Sequence, residues 1–394
     1  MSGLSASQAP VPRPDHSAET YYPWFDWLRA VCACVVMWYH GHVFSWNQAG
    51  NFAVQVFFAL SGWLIGGMLL QTKPVDLPRF YFNRAVRIWA PYYLAAALLL
   101  TLSVLREPIT AKWVEIVTYK LTFVYNLFGV PQLELFRDAM PQKGSLSHFW
   151  SVNVEEQFYL LAPLVLVLLA SRVGRAPWLW AALACLGFPF GLGAIMLGVV
   201  AATIAHRYGR IHEGAGARLV LFLCLVAAVV ALYKDFSYSV VAPFAGLFIV
   251  LLLAMPGRRT TLGAIFGGMS YPLYLNHWIA VFAANYALAH MRAGPASWLL
   301  NVVVETLVGV PFAVALYWFV DRRLLANRST WYTSRRGVIV TILAYAIVAL
   351  GLVYGLAKRP SFERALHPAV ALSADVEPQP KSGRDTGASG LARA

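Results

Sequence analysis

The sequence predicts an all-α, polytopic transmembrane helical bundle of about ten or eleven spans. Three observations predict it. Of 394 residues, 59% are hydrophobic and only 12% charged, about half the charged share of a soluble globular chain. Apolar runs long enough to cross a bilayer, about 17 to 25 residues each, recur from Trp27 to Leu356. Lys and Arg concentrate in short connections between those runs, as in loops retained on the cytoplasmic side. A transmembrane barrel would show short segments of alternating polarity instead.

Taken in order, the spans fall at 27–46, 52–71, 88–105, 148–170, 177–189, 190–206, 218–233, 239–255, 263–286, 298–320 and 337–357. The stretch 177–206 reads either as one broken helix or as two short ones around "GFPFG". Loop charge favours two. Lys73, Arg79, Arg84 and Arg87 follow the second span, and Arg172 and Arg175 follow the fourth. Arg207, Arg210 and Arg218 form the next group, then Arg258 and Arg259, and last Arg322, Arg323, Arg328, Arg335 and Arg336. All five groups share the cytoplasmic side only if 177–206 is a hairpin, with the N-terminus inside and the C-terminal tail outside. The long connection 106–147, of mixed charge, then lies outside.

Residues 1–25 read as a polar cytoplasmic N-terminal tail and 26–357 as the membrane domain. The Pro, Ser, Gly and charge of 358–394 read as a disordered C-terminal tail. The net charge of +13 is accounted for by the loops, and no basic-aromatic nucleic-acid motif is present. Cys32, Cys34, Cys185 and Cys224 sit in apolar runs without zinc or disulfide spacing, so they read as small apolar side chains and no metal is expected.

Ionisable residues inside spans are costly and mark functional candidates. Arg29 and His40 are eleven positions apart in the first span. At about 100° per residue that is three turns plus ~20°, so both project from one face about 16 Å apart. His42 points elsewhere. In "SLSHFWSVNVEEQFYLLAPL", His148, Ser151, Glu155 and Tyr159 share a face, while Glu156 points about 100° away. Trp150 belongs to the same stretch. A carboxylate there could hold a histidine in one tautomer and stabilise its imidazolium; complementing the helix dipole is the plainer role. In "RFYFNRAVRIWAPYY", Arg84 and Arg87 share a face at the cytoplasmic edge, either as a membrane-interface anchor or as a fork for phosphate oxygens. In "GGMSYPLYLNHW", Ser270, Tyr271, Tyr274 and His277 bring hydroxyls and an imidazole into a helix that Pro272 can kink. Glu305 in the tenth span and Asp321 at its cytoplasmic end are further ionisable candidates, for which pairing with a buried arginine is the plainer reading.

Together these stretches resemble the membrane-bound acyltransferase family 3, which includes bacterial surface-polysaccharide O-acetyltransferases and macrolide acyltransferases. "FDWLRAVCACVVMWYH" is similar to the family's Arg-x10-His segment, with Arg29 and His40 in those places. "FFALSGWLIG", "FYFNRAVRIWAPYY", "HFWSVNVEEQFYLLAPL" and "SYPLYLNHW" follow in the family's order, and the likeness runs from about 25 to about 357. Trp27, Asn153, Asn276, Ile279 and Asp321 depart from the family's usual residues. No soluble hydrolase domain follows the last span, so a stand-alone membrane member is expected.

The resemblance implies an enzyme of the bacterial inner membrane that moves an acyl group from cytoplasmic acyl-CoA to a glycan or other sugar hydroxyl. No permanently bound cofactor is implied; acetyl-CoA would be the donor co-substrate. His40 is then the general base, with Glu155 or Glu156 orienting it or stabilising its imidazolium, and His277, with Ser270 and Tyr274, stabilising the oxyanion or completing the pocket. Arg29, Arg84 and Arg87 would hold the donor. His148, Trp150, Ser151, Ser270, Tyr271 and Tyr274 would line the substrate pocket. The competing reading is a proton-coupled transporter or flippase that uses the same ionisable stripe as a relay.

Overall fold

The computed structural model describes residues 21–169, 173–289 and 295–366. Among them the chain is helical throughout, without strands. The helices are α1 (Pro23–His40), α2 (Ala49–Gln71), α3 (Leu77–Val104), α4 (Ala111–Leu121), α5 (Phe149–Pro163), α6 (Pro177–Gly187) and α7 (Gly193–Tyr208). They continue as α8 (Ala215–Tyr233), α9 (Tyr238–Leu253), α10 (Thr261–Leu288), α11 (Pro295–Leu316), α12 (Arg322–Trp331) and α13 (Ser334–Leu366). Every expected span contains a helix.

Six stretches are long and apolar enough to cross a membrane by length and composition. One is α8, whose apolar surface is exposed almost all round; an all-apolar helix of this kind needs lipid as its solvent. Long enough but less apolar are α1 and α10. These two carry the ionisable stripes.

The stretch 177–206 is a hairpin. A 3₁₀ turn at Phe188–Phe190 ends α6, and Gly191 at φ 72° reverses the chain into α7. Only a residue without a Cβ takes that backbone freely.

The boundaries differ from the sequence reading in three places. Helix α1 stops at His40 and not at 46, because the backbone turns through Gly41 and through His42 at φ 59°. His40 is therefore the last residue of its helix. Helix α3 starts at Leu77, so Arg79, Arg84 and Arg87 lie within it and only Lys73 stays in the connection. Helix α13 runs on to Leu366, so the expected tail is helical over 358–366. Residues 1–20 and 367–394 lie outside the described residues, as does Arg172.

Helix α2 is the hub. It packs on α1, α7 and α9, and 72% of its most apolar window is buried. The α2–α7 crossing is made by glycines. A Cβ on Gly62 would stand 2.0 Å from the Ile195 carbonyl oxygen, and one on Gly198 2.3 Å from the Ala59 oxygen. Small residues at such crossings let backbones approach where hydrophobic force between helices is weak. Helix α10 lies between α1 and α11, and α13 flanks α3.

The connection 106–147 is folded. Thr110 caps α4 by accepting from Trp113 N at 3.0 Å. Glu115, buried at one face of α4, accepts from Lys112 at 2.9 Å, Gln132 at 3.1 Å and Tyr119 at 3.1 Å. Burial alone would raise its pKa, but those three donors outweigh burial and hold it below the ordinary carboxylate value.

Candidate functional site

Helices α1, α3, α5 and α10 converge on one polar column with two ends. The first end gathers around the C-terminus of α1. His40 stacks on His277 of α10, ring centroids 4.8 Å apart with planes at 27°. His277 in turn meets His148 edge-on at 4.6 Å. Each ring is anchored to a backbone carbonyl. His40 Nδ1 donates to Val36 O at 2.9 Å, His277 Nδ1 to Tyr274 O at 2.7 Å, and His148 Nε2 to Leu275 O at 3.1 Å. A carbonyl only accepts, so each bond fixes the proton on that nitrogen and leaves the other with a bare lone pair. For His40 the bare atom is Nε2. This is the tautomer of a ready general base.

The hydroxyls of this end are engaged in structure. Tyr274 OH donates to His148 O at 3.0 Å and also bonds Ser151, whose Oγ reaches the same carbonyl at 3.2 Å. These contacts hold the turn that delivers His148 at the head of α5. Ser270 lies farther along α10 towards Asp26, away from this end, and its Oγ donates to Gly267 O of its own helix at 2.7 Å. A cavity of about 300 Å³ opens beside the histidines, walled by His40, His148, Trp150 and Tyr274 with the start of α2 opposite.

The second end gathers around Glu155 near the middle of α5. Its carboxylate accepts from Ser61 Oγ at 2.6 Å and from Tyr159 OH at 3.4 Å. Arg29, Arg84 and Arg87 lie within electrostatic reach of Glu155. Arg29 also pairs with Asp26 at 3.4 Å, and the Arg84 guanidinium sits over the Tyr159 ring at 5.7 Å. Arg29, Arg84 and Arg87 thus cluster with the carboxylates of Asp26 and Glu155, with Arg87 exposed and Arg84 partly so. Tyr271 lies between the ends, its hydroxyl donating to Ile88 O at 3.3 Å.

The expected Arg29–His40 stripe is thus realised, with one residue at each end. The structure does not bring Glu155 or Glu156 to His40. Glu155 belongs to the arginine end. Glu156 points to α3, where Trp89 Nε1 donates to it at 2.9 Å. The ~100° between neighbours on a helix sends the two carboxylates to different partners, and the Val36 carbonyl occupies the place expected of a carboxylate on His40. Asp321 does lie near Arg87. Among the described residues Glu305 meets no arginine and neither of its oxygens has a hydrogen-bond partner; it is fully buried and packs against Gly41, the residue after His40. Its neighbour Asn301 donates to Gly41 O at 2.7 Å.

Two further groups escape sequence reading. Trp278 follows His277, its ring 5.1 Å from His40, and its buried indole N–H has no partner among the described residues. Lys120 is buried, donates to Leu146 O at 2.7 Å and lies over the Tyr125 ring at 3.4 Å, bracing the turn that precedes His148. The only signal for Lys120 is a charge flanked by apolar residues. Among the described residues no group of three or more His, Cys, Asp or Glu is arranged to hold a metal.

Comparison with known proteins agrees with this geometry. Residues 22–322 match the family model described as an acyltransferase domain, family 3. The chain is 28% identical over 232 residues to O-acetyltransferase OatA of Staphylococcus aureus, covering 56% of this chain and 37% of that protein. It is 29% identical over 160 residues to peptidoglycan O-acetyltransferase OatA of Listeria monocytogenes, covering 39% and 26% respectively. The chain therefore spans about a third of the length of the curated relatives it matches. No solved structure matches. The matched stretch contains both ends of the column, and the chain belongs to acyltransferase family 3 as a multi-pass membrane member.

Proposed function

We propose that this acyltransferase moves an acetyl group from cytoplasmic acyl-CoA to a hydroxyl of a glycan or other sugar-containing acceptor, in a bacterial inner membrane with its N-terminus cytoplasmic. The observation that carries this reading is the column itself. A single helix presents Arg29 to an arginine cluster and, about three turns on, His40 to an open cavity. Arginine forks suit the phosphates of coenzyme A, and the pantetheine arm is long enough to run from one end to the other. The relatives' printed names supply the acetyl group and, for one, peptidoglycan as acceptor.

In this scheme His40 Nε2 takes the proton of the acceptor hydroxyl while the oxygen attacks the thioester carbonyl. The tetrahedral intermediate carries an oxyanion. The indole N–H of Trp278 is a buried donor without a partner beside His40, suited to meet that charge. Collapse expels the coenzyme A thiolate, which takes the proton back from His40. Ser151, Tyr274 and His277 serve by holding the rings and the His148 turn in place.

Membranes containing the protein, given acetyl-CoA labelled in the acetyl group, should transfer label to a glycan fraction. Acceptor that crosses the bilayer without label would favour transport. Label that stays on coenzyme A, with wild-type protein in the membrane, would remove acetyl-CoA as the donor.

A further inference from the structure

The cavity beside His40 has a wall that the family motifs do not include. After α1 the chain turns back, and Asn47 and Gln48 in the turn, with Asn51 in the first turn of α2, line the cavity opposite His40. Tyr39 and Trp150 add aromatic surface. None of the lining residues is Asp, Glu, Lys or Arg. Amides offer both donors and acceptors without charge, and aromatic faces accept the C–H surface of a sugar ring.

Asn51 is fixed in a particular sense. Its Oδ1 accepts from Gln55 Nε2 at 3.2 Å and from Tyr238 OH at 3.3 Å. Gln55 is itself buried in the core of α2. With the oxygen doubly engaged, the Asn51 amide nitrogen is what remains for a ligand. No hydrogen bond among the described residues holds the side-chain amides of Asn47 or Gln48, so both are open to one.

We propose that Asn47, Gln48 and Asn51 form the acceptor subsite and select an uncharged sugar, with Asn51 Nδ2 donating to an acceptor oxygen. This rests on the reading of the cavity as the acceptor side. A carboxylate on the acceptor would find no cation there, and an ammonium would find no anion; each would lose hydration without gaining a partner.

The test reads binding without a donor. Purified full-length protein in detergent is mixed with methyl glucoside, methyl glucuronide or methyl glucosaminide, and saturation transfer from protein to sugar is measured by NMR. The neutral glycoside should bind and the two charged ones should bind at least tenfold more weakly. Asn51→Ala should weaken the neutral glycoside about fivefold, the loss of one hydrogen bond. Asn51→Asp should shift preference to the cationic glucosaminide. Gln48→Ala, at a turn position, gives an independent variant with an expected loss of similar size. Equal binding of neutral and anionic glycosides, no binding of the neutral one, or unchanged binding in both alanine variants overturns the proposal. Failure of acetyl-CoA to donate would sink the donor assignment above but would not alter this measurement.

Discussion

His40 and His277 lie face to face, ring centroids 4.8 Å apart, and each is bonded through Nδ1 to a carbonyl of its own helix. The pair therefore presents two lone-pair nitrogens whose tautomers are set by the backbone. No carboxylate is needed to orient His40.

Removing the proposed base is the first test. His40→Ala should lower acetyl transfer by about 10²–10⁴-fold with unchanged amounts of protein in the membrane. Glu156→Gln should act far more weakly, since its partner is Trp89 and not His40. Equal losses in the two variants would show that the carboxylate acts through the histidine after all.

At the other end, Arg84→Ala should raise KM for acetyl-CoA about 10- to 100-fold, as expected for one lost charge-assisted contact. Arg84→Lys keeps the charge but not the fork, so it should recover only part of the loss. Acceptor KM is the internal control. If it rises and donor KM does not, the two ends have been assigned the wrong way round.

The Glu305–Gly41 contact predicts a mutual rescue. A Cβ on Gly41 would stand 1.7 Å from Glu305 Oε1. Gly41→Ala alone should destabilise the protein by about 1–3 kcal/mol through overpacking. Adding Glu305→Ala opens the space, and the pair should be less damaging than the sum of the single changes by about 1 kcal/mol or more. Thermal unfolding in detergent gives the four values, and strict additivity would place the carboxylate elsewhere.

Glu115 gives the connection 106–147 a defined response to pH. Its pKa is depressed in the folded state. A depressed carboxylate contributes stability that is present above its unfolded pKa, near 4.3, and is lost as pH falls through the folded value. Proteolysis within 106–147 should therefore increase below about pH 4. Glu115→Gln should flatten that dependence and open the segment at neutral pH.

Much of this architecture was legible because lipid imposes it. Spans needed only apolar length, and the α6–α7 hairpin followed from which loops must share a side. The Arg29–His40 stripe was legible because helical geometry is periodic. Partners were not. Glu155 and Glu156 are adjacent in sequence, yet one reaches Ser61 and the other Trp89, which depends on how deeply α2 and α3 are seated. His40 is bonded to the main chain of Val36, and a backbone carbonyl leaves no trace in a residue pattern. Glu305 was expected to find an arginine, but its neighbour is a glycine far back in the sequence, legible only once α11 is laid against α1.

The early end of α1 at His40 has a consequence for how such an enzyme diversifies. His40 is held by its own helix, while the amide wall of the cavity begins in the short turn that follows. Exchanging residues 43–48, together with position 51, would leave every described hydrogen bond of the three histidines in place. If that wall is the acceptor subsite proposed above, acceptor choice is portable: a family of chains could keep one chemical engine and refit the cap that meets the cargo.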